Sequence, residues 1–214
     1  MIEHKSISLA DQVFEHLETD ILSGKYQKGE NLTESKLSLE LGVSRTPIRE
    51  ALRRLEQEHL IEESSKGMVV VGISDKDLND IFEIRAALEG KAAFLATQNY
   101  TEEQINVVRE ALELQEFYLA KQDPDRIKSM DSRFHETIYK MSGSTIFYDV
   151  LMPLHKKILK YRKASVSDKS RAEASIAEHR AIYEALLARD AQLASRLISE
   201  HLDNAYKHIC KKEN

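Results

Sequence analysis

Cysteine is almost missing: Cys210 is the only one in 214 residues, so no disulfide can close within the chain. That fits a reducing compartment and excludes a disulfide-stapled secreted scaffold. Seven Gly and three Pro are too few for a turn-rich sandwich, and they favour helix. The longest aliphatic run, Met68-Val69-Val70-Val71, falls far short of a membrane span. The start, Met1-Ile2-Glu3-His4-Lys5, lacks the basic stretch and apolar core of a signal peptide. A cytoplasmic protein with no membrane partner is expected. An excess of positive charge is missing too. The net charge is −5, with nine Lys/Arg against thirteen Asp/Glu in residues 1–72 and twenty-two against twenty-three in residues 73–214. A case for nucleic acid must therefore rest on where the basic residues cluster.

The first apolar-periodic stretch runs from about Leu9 to Leu22 and stops at Gly24. A short polar link leads to Thr33, a cap for a second helix over Glu34–Leu41. Gly42-Val43-Ser44 breaks that helix. Ser44 can cap a third, from about Arg45 to Glu58, with Pro47 tolerated in its first turn. The period then changes. Leu60-Ile61-Glu62 and Met68–Val71 read as two strands of a hairpin around Ser64-Ser65-Lys66-Gly67. Helix, helix, turn, helix, hairpin is the order of a winged helix-turn-helix, predicted for residues 1–72, and Gly72-Ile73-Ser74 reads as a linker.

Within the third helix Arg45, Arg49 and Arg53 stand four apart, on a face opposite Ile48, Leu52 and Leu55. Such a face fits a major groove. Arg at the N-terminal end of a recognition helix suits a bidentate contact to guanine, while Ser44 and Thr46 suit phosphates. The stretch Leu41-Gly42-Val43-Ser44-Arg45-Thr46-Pro47-Ile48-Arg49-Glu50-Ala51-Leu52-Arg53-Arg54-Leu55 resembles the signature of the GntR regulators. The resemblance, which covers residues 8–72, implies that Arg45 and Arg49 read bases in double-stranded operator DNA. It also implies that Thr46 holds phosphate and that the wing tip, Lys66-Gly67, reaches the minor groove. One position departs: the second helix of such regulators often carries a guanine-reading Arg where this chain has Ser35, followed by Lys36.

From Asp75 onward no strand is legible, and residues 73–214 are predicted to form an all-α antiparallel bundle. Six helical segments are expected, at about 75–98, 102–121, 124–141, 145–163, 169–188 and 190–209. Thr101 with Gln104 makes a capping box, Asp123-Pro124 a cap with a first-turn Pro, and Gly143 a stop. The last two segments must form a tight hairpin near residue 190. His179 and His201 lie 11 residues either side of that turn. At about 1.5 Å per residue each is about 16 Å from it, so the two share one height. Asp131 and His135 are four apart and point to one side. Three imidazoles and a carboxylate suit a divalent transition metal such as Zn²⁺, Ni²⁺ or Mn²⁺. Residues 75–214, through Asp131-x-x-Phe134-His135, Glu178-His179 and His201, resemble the FCD domain of one branch of GntR regulators, in its shorter, VanR-like variant. That resemblance implies one metal held by Asp131, His135, His179 and His201, beside an effector pocket.

Other polar residues leave alternatives open. Arg85 could pair with a carboxylate effector or form a salt bridge with Glu89; Asn204 could line the pocket or support a ligand; His155 could face pocket or surface. The expected function is a homodimeric, metabolite-responsive transcription regulator, most simply a repressor, taking a small organic acid as effector. The alternative is a metal-dependent hydrolase using the Asp/His cluster. His135-Glu136 begins a zinc-protease motif, but position 139 is Tyr rather than the second His.

Overall fold

The structure, a computed structural model, describes residues 8–65, 67–158, 161–162, 165 and 167–212. The chain divides into two compact units, Met1–Asp75 and Lys76–Asn214.

In the first unit, α1 (Leu9–Leu22) starts at a capping box in which Ser8 and Asp11 satisfy each other's backbone N–H. Thr33 caps α2 (Glu34–Leu41), and Gly42, at φ +67°, ends it in the left-handed conformation that costs glycine nothing. The third helix, α3 (Arg45–Gln57), has Ser44 at its N-cap position, but the Ser44 side chain makes no cap hydrogen bond there, contrary to expectation. Leu17, Leu37, Ile48, Leu55 and Leu60 are fully buried and pack the three helices together. Each such side chain contributes about 1.5–3 kcal/mol.

The wing has three strands rather than two: β1 (Asn31–Leu32), β2 (Ile61–Ser64) and β3 (Gly67–Val70), antiparallel in the order β1-β3-β2. The stretch before Thr33, expected to be a polar link, contributes β1 by pairing Asn31 with Val69 and Leu32 with Met68. Two residues carry no alternation to read, and burial of Leu32 against the hairpin makes the strand. Glu62 pairs with Val69 and Ser64 with Gly67, so β2 begins and ends later than the apolar residues suggested.

The second unit holds α4 (Asp75–Asn99), α5 (Glu102–Ala120), α6 (Pro124–Met141), α7 (Thr145–Lys157), α8 (Lys169–Leu187) and α9 (Ala191–Lys212). The capping box at Thr101, the Asp123 cap and the left-handed Gly143 stand as expected. The fourth helix was expected to reach residue 163. The helix α7 ends at Lys157, with Ile158 at its C-cap one turn after Pro153 removes a hydrogen bond from the ladder; residues 159–160 and 163 lie outside the described residues, and 161–162 are helical. A core of mostly small and branched side chains, including Ala93, Ala96, Val108, Ala111, Phe134, Ile138, Ile182, Ala194 and Ile198, joins α4, α5, α6, α8 and α9.

Gly90 explains how closely α4 approaches α9. A Cβ there would stand 2.8 Å from Ser199 Oγ and 3.1 Å from Ser195 Oγ, and Ser199 Oγ already donates to Ala86 O at 3.0 Å. Gly90→Leu is therefore expected to lower stability by about 1–3 kcal/mol through overpacking. Gly90→Ala should lower it less, and adding Ser199→Ala should relieve part of that loss. Denaturant unfolding of the four chains checks this; a Gly90→Leu protein as stable as wild type would show that the helices have room to spare.

Candidate nucleic-acid interface and candidate metal centre

On α3 the buried side is Ile48, Ala51, Leu52 and Leu55, and Ser44, Arg45, Thr46, Arg49 and Arg53 are exposed on the other. Ser35 and Lys36 are exposed in the first turn of α2, with Lys36 Nζ 2.9 Å from Glu30. Gly67 opens β3 at φ +115°; Lys66, the other expected wing-tip contact, lies outside the described residues. Arg49 is held side-on by Glu34, with Nε and Nη2 each 2.8 Å from a carboxylate oxygen. Its end-on edge, Nη1 and Nη2, is left facing outward, the edge that pairs with O6 and N7 of guanine. Nothing in the sequence pattern pointed to Glu34 as the support for Arg49. Arg54 belongs to the other flank: it donates to Asp11 and lies 3.9 Å over the Phe14 ring, tying α3 to α1.

In the second unit the three histidines converge. His135 on α6, His179 on α8 and His201 on α9 are buried, and one ring nitrogen of each lies within 4.8 Å of the others. Each ring is fixed from behind through Nδ1: His135 donates to Glu89 Oε2 at 2.9 Å, His179 to Gln115 Oε1 at 2.8 Å and His201 to Glu178 Oε2 at 2.6 Å. A proton on Nδ1 leaves Nε2 as a lone pair. The Nε2 atoms of His179 and His201 face each other at 3.3 Å, and Asp131 Oδ1 is 3.6 Å from His179 Nε2. Atoms about 2.0–2.2 Å from one shared ion have such spacings, and the nitrogen-oxygen donor set suits a borderline metal. Asp131 is not bare: Arg162, just past α7, donates to its Oδ2.

Burial opposes charge throughout this cluster. It pushes the His179 and His201 imidazoles below their ordinary range, the His179 ring furthest, with its neighbour His201 adding to the effect. For Asp131 burial works the other way, but Arg162 and the nearby imidazoles outweigh it and hold the carboxyl well below the usual range. Glu89 and Glu178 are likewise held down to about 2 against the effect of burial, by Arg85 and His135 in one case and by His201 and Arg171 in the other. They remain carboxylates, able to accept from the rings.

A cavity of about 40 Å³ adjoins the cluster, walled in part by Asp131, His135 and His201 and by Arg85, Arg162 and Arg171. Arg85 forms the salt bridge left open for it, Nε donating to Glu89 at 2.7 Å, and the residue also lines the cavity. Asn204 takes the supporting role, donating to Glu178 Oε1 at 3.0 Å from an exposed position outside the cavity wall. His155 is buried, its Nδ1 accepting from Arg85 Nη2 at 3.1 Å. Sequence reasoning missed Gln115 and Arg162, which lie far from the clustered histidines along the chain, and Arg171, about two turns before His179 on α8.

Residues 9–71 match the family model described as bacterial regulatory proteins, gntR family, and residues 80–204 match the FCD domain. The chain belongs to the GntR family and carries an FCD domain. It is similar to the HTH-type transcriptional regulator YdhC of Bacillus subtilis, 28% identical over 201 residues that cover 92% of this chain and 89% of that one. It is also similar to the gluconate operon transcriptional repressor of Bacillus licheniformis, at 28% identity over 86% of this chain and 78% of the relative. Among solved structures, McbR/YncC of Escherichia coli shares the fold with a TM-score of 0.84, at 24% identity over 98% of this chain and all of that one. This regulator is thus a DNA-binding transcription factor rather than an enzyme. The hydrolase alternative finds no support in these relatives, and Tyr139, where a zinc protease needs its second His, is a buried residue of the core. No described helix is long and apolar enough to cross a membrane.

Two outcomes are expected. Arg45→Ala or Arg49→Ala should cost about 1–3 kcal/mol of operator binding and relax base preference. Arg54→Ala should instead lower the melting temperature and leave base preference alone. Competition binding at fixed salt separates them; base preference unchanged in both α3 variants would misplace the reading face. The second outcome concerns pH. The unfolded chain takes up protons on His179 and His201 more readily than the folded one, so the metal-free protein should lose stability as pH falls below about 6.5. Melting of chelator-treated protein between about pH 8 and pH 5 measures this, and His179→Gln should flatten the slope.

Proposed function

We propose that this regulator is a metabolite-responsive repressor in which residues 1–72 grip operator DNA and residues 73–214 dimerise and sense a small organic acid through a divalent transition metal. Asp131, His135, His179 and His201 would hold the metal, with Zn²⁺, Ni²⁺ and Mn²⁺ all compatible with the donors. The observation that carries the reading is the pair of Nε2 lone pairs facing each other at 3.3 Å in a buried site. Without a shared proton or cation between them, two such acceptors repel. With a cation they are a ready half of a ligand set. When bound, the ion supplies a Lewis-acidic position open to a carboxylate oxygen.

The chain's own residues do the rest. Glu89, Gln115 and Glu178 fix the ring orientations, as outer partners of metal-bound histidines do. Arg162 steadies Asp131, and the cavity's arginines favour an anion. The gluconate operon relative is named a repressor, which supports the same sign here. A two-fold operator fits a homodimer, and exposed Ile146 and Val150, one turn apart on α7, supply apolar surface for a second copy. Regulation requires the effector to bind two conformations with different affinity.

Metal analysis after zinc-supplemented purification tests the site. His179→Ala and His201→Ala should each lose most of the metal, while His16→Ala, His59→Ala and His155→Ala keep it. Saturating metal should raise the wild-type melting temperature, by about 4 kcal/mol of stabilisation at a thousandfold excess over Kd. Equal metal in wild type and His179→Ala would withdraw the assignment. The full chain should sediment as a dimer.

A further inference from the structure

Arg171, Ser175 and His179 follow one another at four-residue intervals along α8 and so share a face. His179 belongs to the imidazole cluster, and both Arg171 and Ser175 line the adjoining cavity. The Arg171 side chain runs along that face to Glu178, with Ser175 between the two in sequence, so its guanidinium stands nearer the cluster than its backbone does. A ligand bound at the cluster and lying along α8 is offered the hydroxyl and the guanidinium together.

That guanidinium is aimed. Arg171 is 7% exposed, and its Nη1 and Nη2 hold Glu178 end-on at 3.0 and 2.9 Å. The other edge of the fork, Nε with the second Nη2 hydrogen, is the edge that takes a carboxylate side-on. Nε is buried and has no hydrogen-bond partner among the described residues. A buried cationic donor without an acceptor is costly, and a ligand oxygen removes the penalty. Glu178 also accepts from His201, so the orientation of Arg171 is coupled to that of a cluster imidazole.

Charge points the same way. Around the cavity Glu89, Asp131 and the partly buried Glu178 match Arg85, Arg162 and Arg171 one for one. A divalent ion added to neutral imidazoles leaves two positive charges, which a dianion cancels and a monoanion does not. The remaining wall is mostly apolar, with Phe82, Ile158, Leu202 and Ile209, and Ser165 adds one hydroxyl, which suits an aliphatic spine. Resting on the metal reading above, we infer that the effector is a short aliphatic dicarboxylate, with one carboxylate at the metal position and the other on the Nε edge of Arg171.

The test is calorimetric titration of the zinc-loaded full chain with succinate, glutarate and adipate against butyrate, pentanoate and hexanoate, with inorganic phosphate as a dianion lacking a spine. The best dicarboxylate should bind about tenfold or more tighter than the monocarboxylate of equal carbon number, and tighter than phosphate, as one added charge-assisted pair implies. Arg171→Lys should keep its zinc, confirmed by metal analysis, and lose that preference. A wild-type protein without the preference, a preference that survives Arg171→Lys, or phosphate binding as tightly as the best dicarboxylate overturns the inference. Should Arg171→Lys not fold, Ser175→Ala decides: a loss confined to dicarboxylates supports the site, and an equal loss for both series overturns it. If the chain takes up no zinc, the metal reading fails separately. The same titrations on the zinc-free chain then judge Arg171, an Arg171-dependent preference supporting the site and none overturning it.

Discussion

A buried imidazole has two nitrogens, and only one can be committed to the protein if the other is to meet an ion. In this chain the commitment is made three times in the same sense. Each Nδ1 of His135, His179 and His201 donates outward to an oxygen, and the His179 and His201 rings lie in a space that disfavours their charged form. His179 and His201, whose Nε2 atoms face each other, cannot relieve that contact by protonation without a burial cost. The rest of the bundle follows from holding them so. The three histidines come from α6, α8 and α9, and their oxygen partners from α4, α5 and α8, so these five helices meet at one point. Close approach there demands small residues elsewhere, which is where Gly90 and the alanines of α4 enter.

The same logic, one group held so that another edge is presented, recurs at the two arginines that matter. Glu34 takes Arg49 side-on, through Nε and Nη2, and leaves Nη1 outside the pair. Glu178 takes Arg171 end-on and leaves its Nε without a hydrogen-bond partner among the described residues. Arginine has five donors in a rigid plane, and a single carboxylate uses only two of them. What the carboxylate contributes is direction, with the free edge as the working surface.

How much of this was legible in the sequence depends on how local each determinant is. Caps and stops are local, and so the helix order and most boundaries could be read from Thr101-x-x-Gln104, Asp123-Pro124 and Gly143. The level placement of His179 and His201 could be read from their equal distance to the turn, and their Nε2 atoms lie 3.3 Å apart. The missing features are those decided by tertiary contact. Strand β1 exists because a neighbouring hairpin pairs with it. The end of α7 and the Arg162–Asp131 pair lie where no periodicity reports them. Gln115 sits 64 residues from the ring it supports, and no spacing rule connects them. Arg54 and Arg45 look alike in sequence, and only α1, packed against one flank, tells them apart.

The recognition helix and the histidine cluster reside in different units of the chain, and the central proposal about the second is that three inward Nε2 atoms share one ion. X-ray absorption of the zinc-loaded full chain reads the coordination shell directly. The account predicts three imidazole nitrogens with oxygen filling the remainder, at about 2.0–2.2 Å and with no sulfur. A shell containing a thiolate from Cys210, or one with a single imidazole, would contradict it.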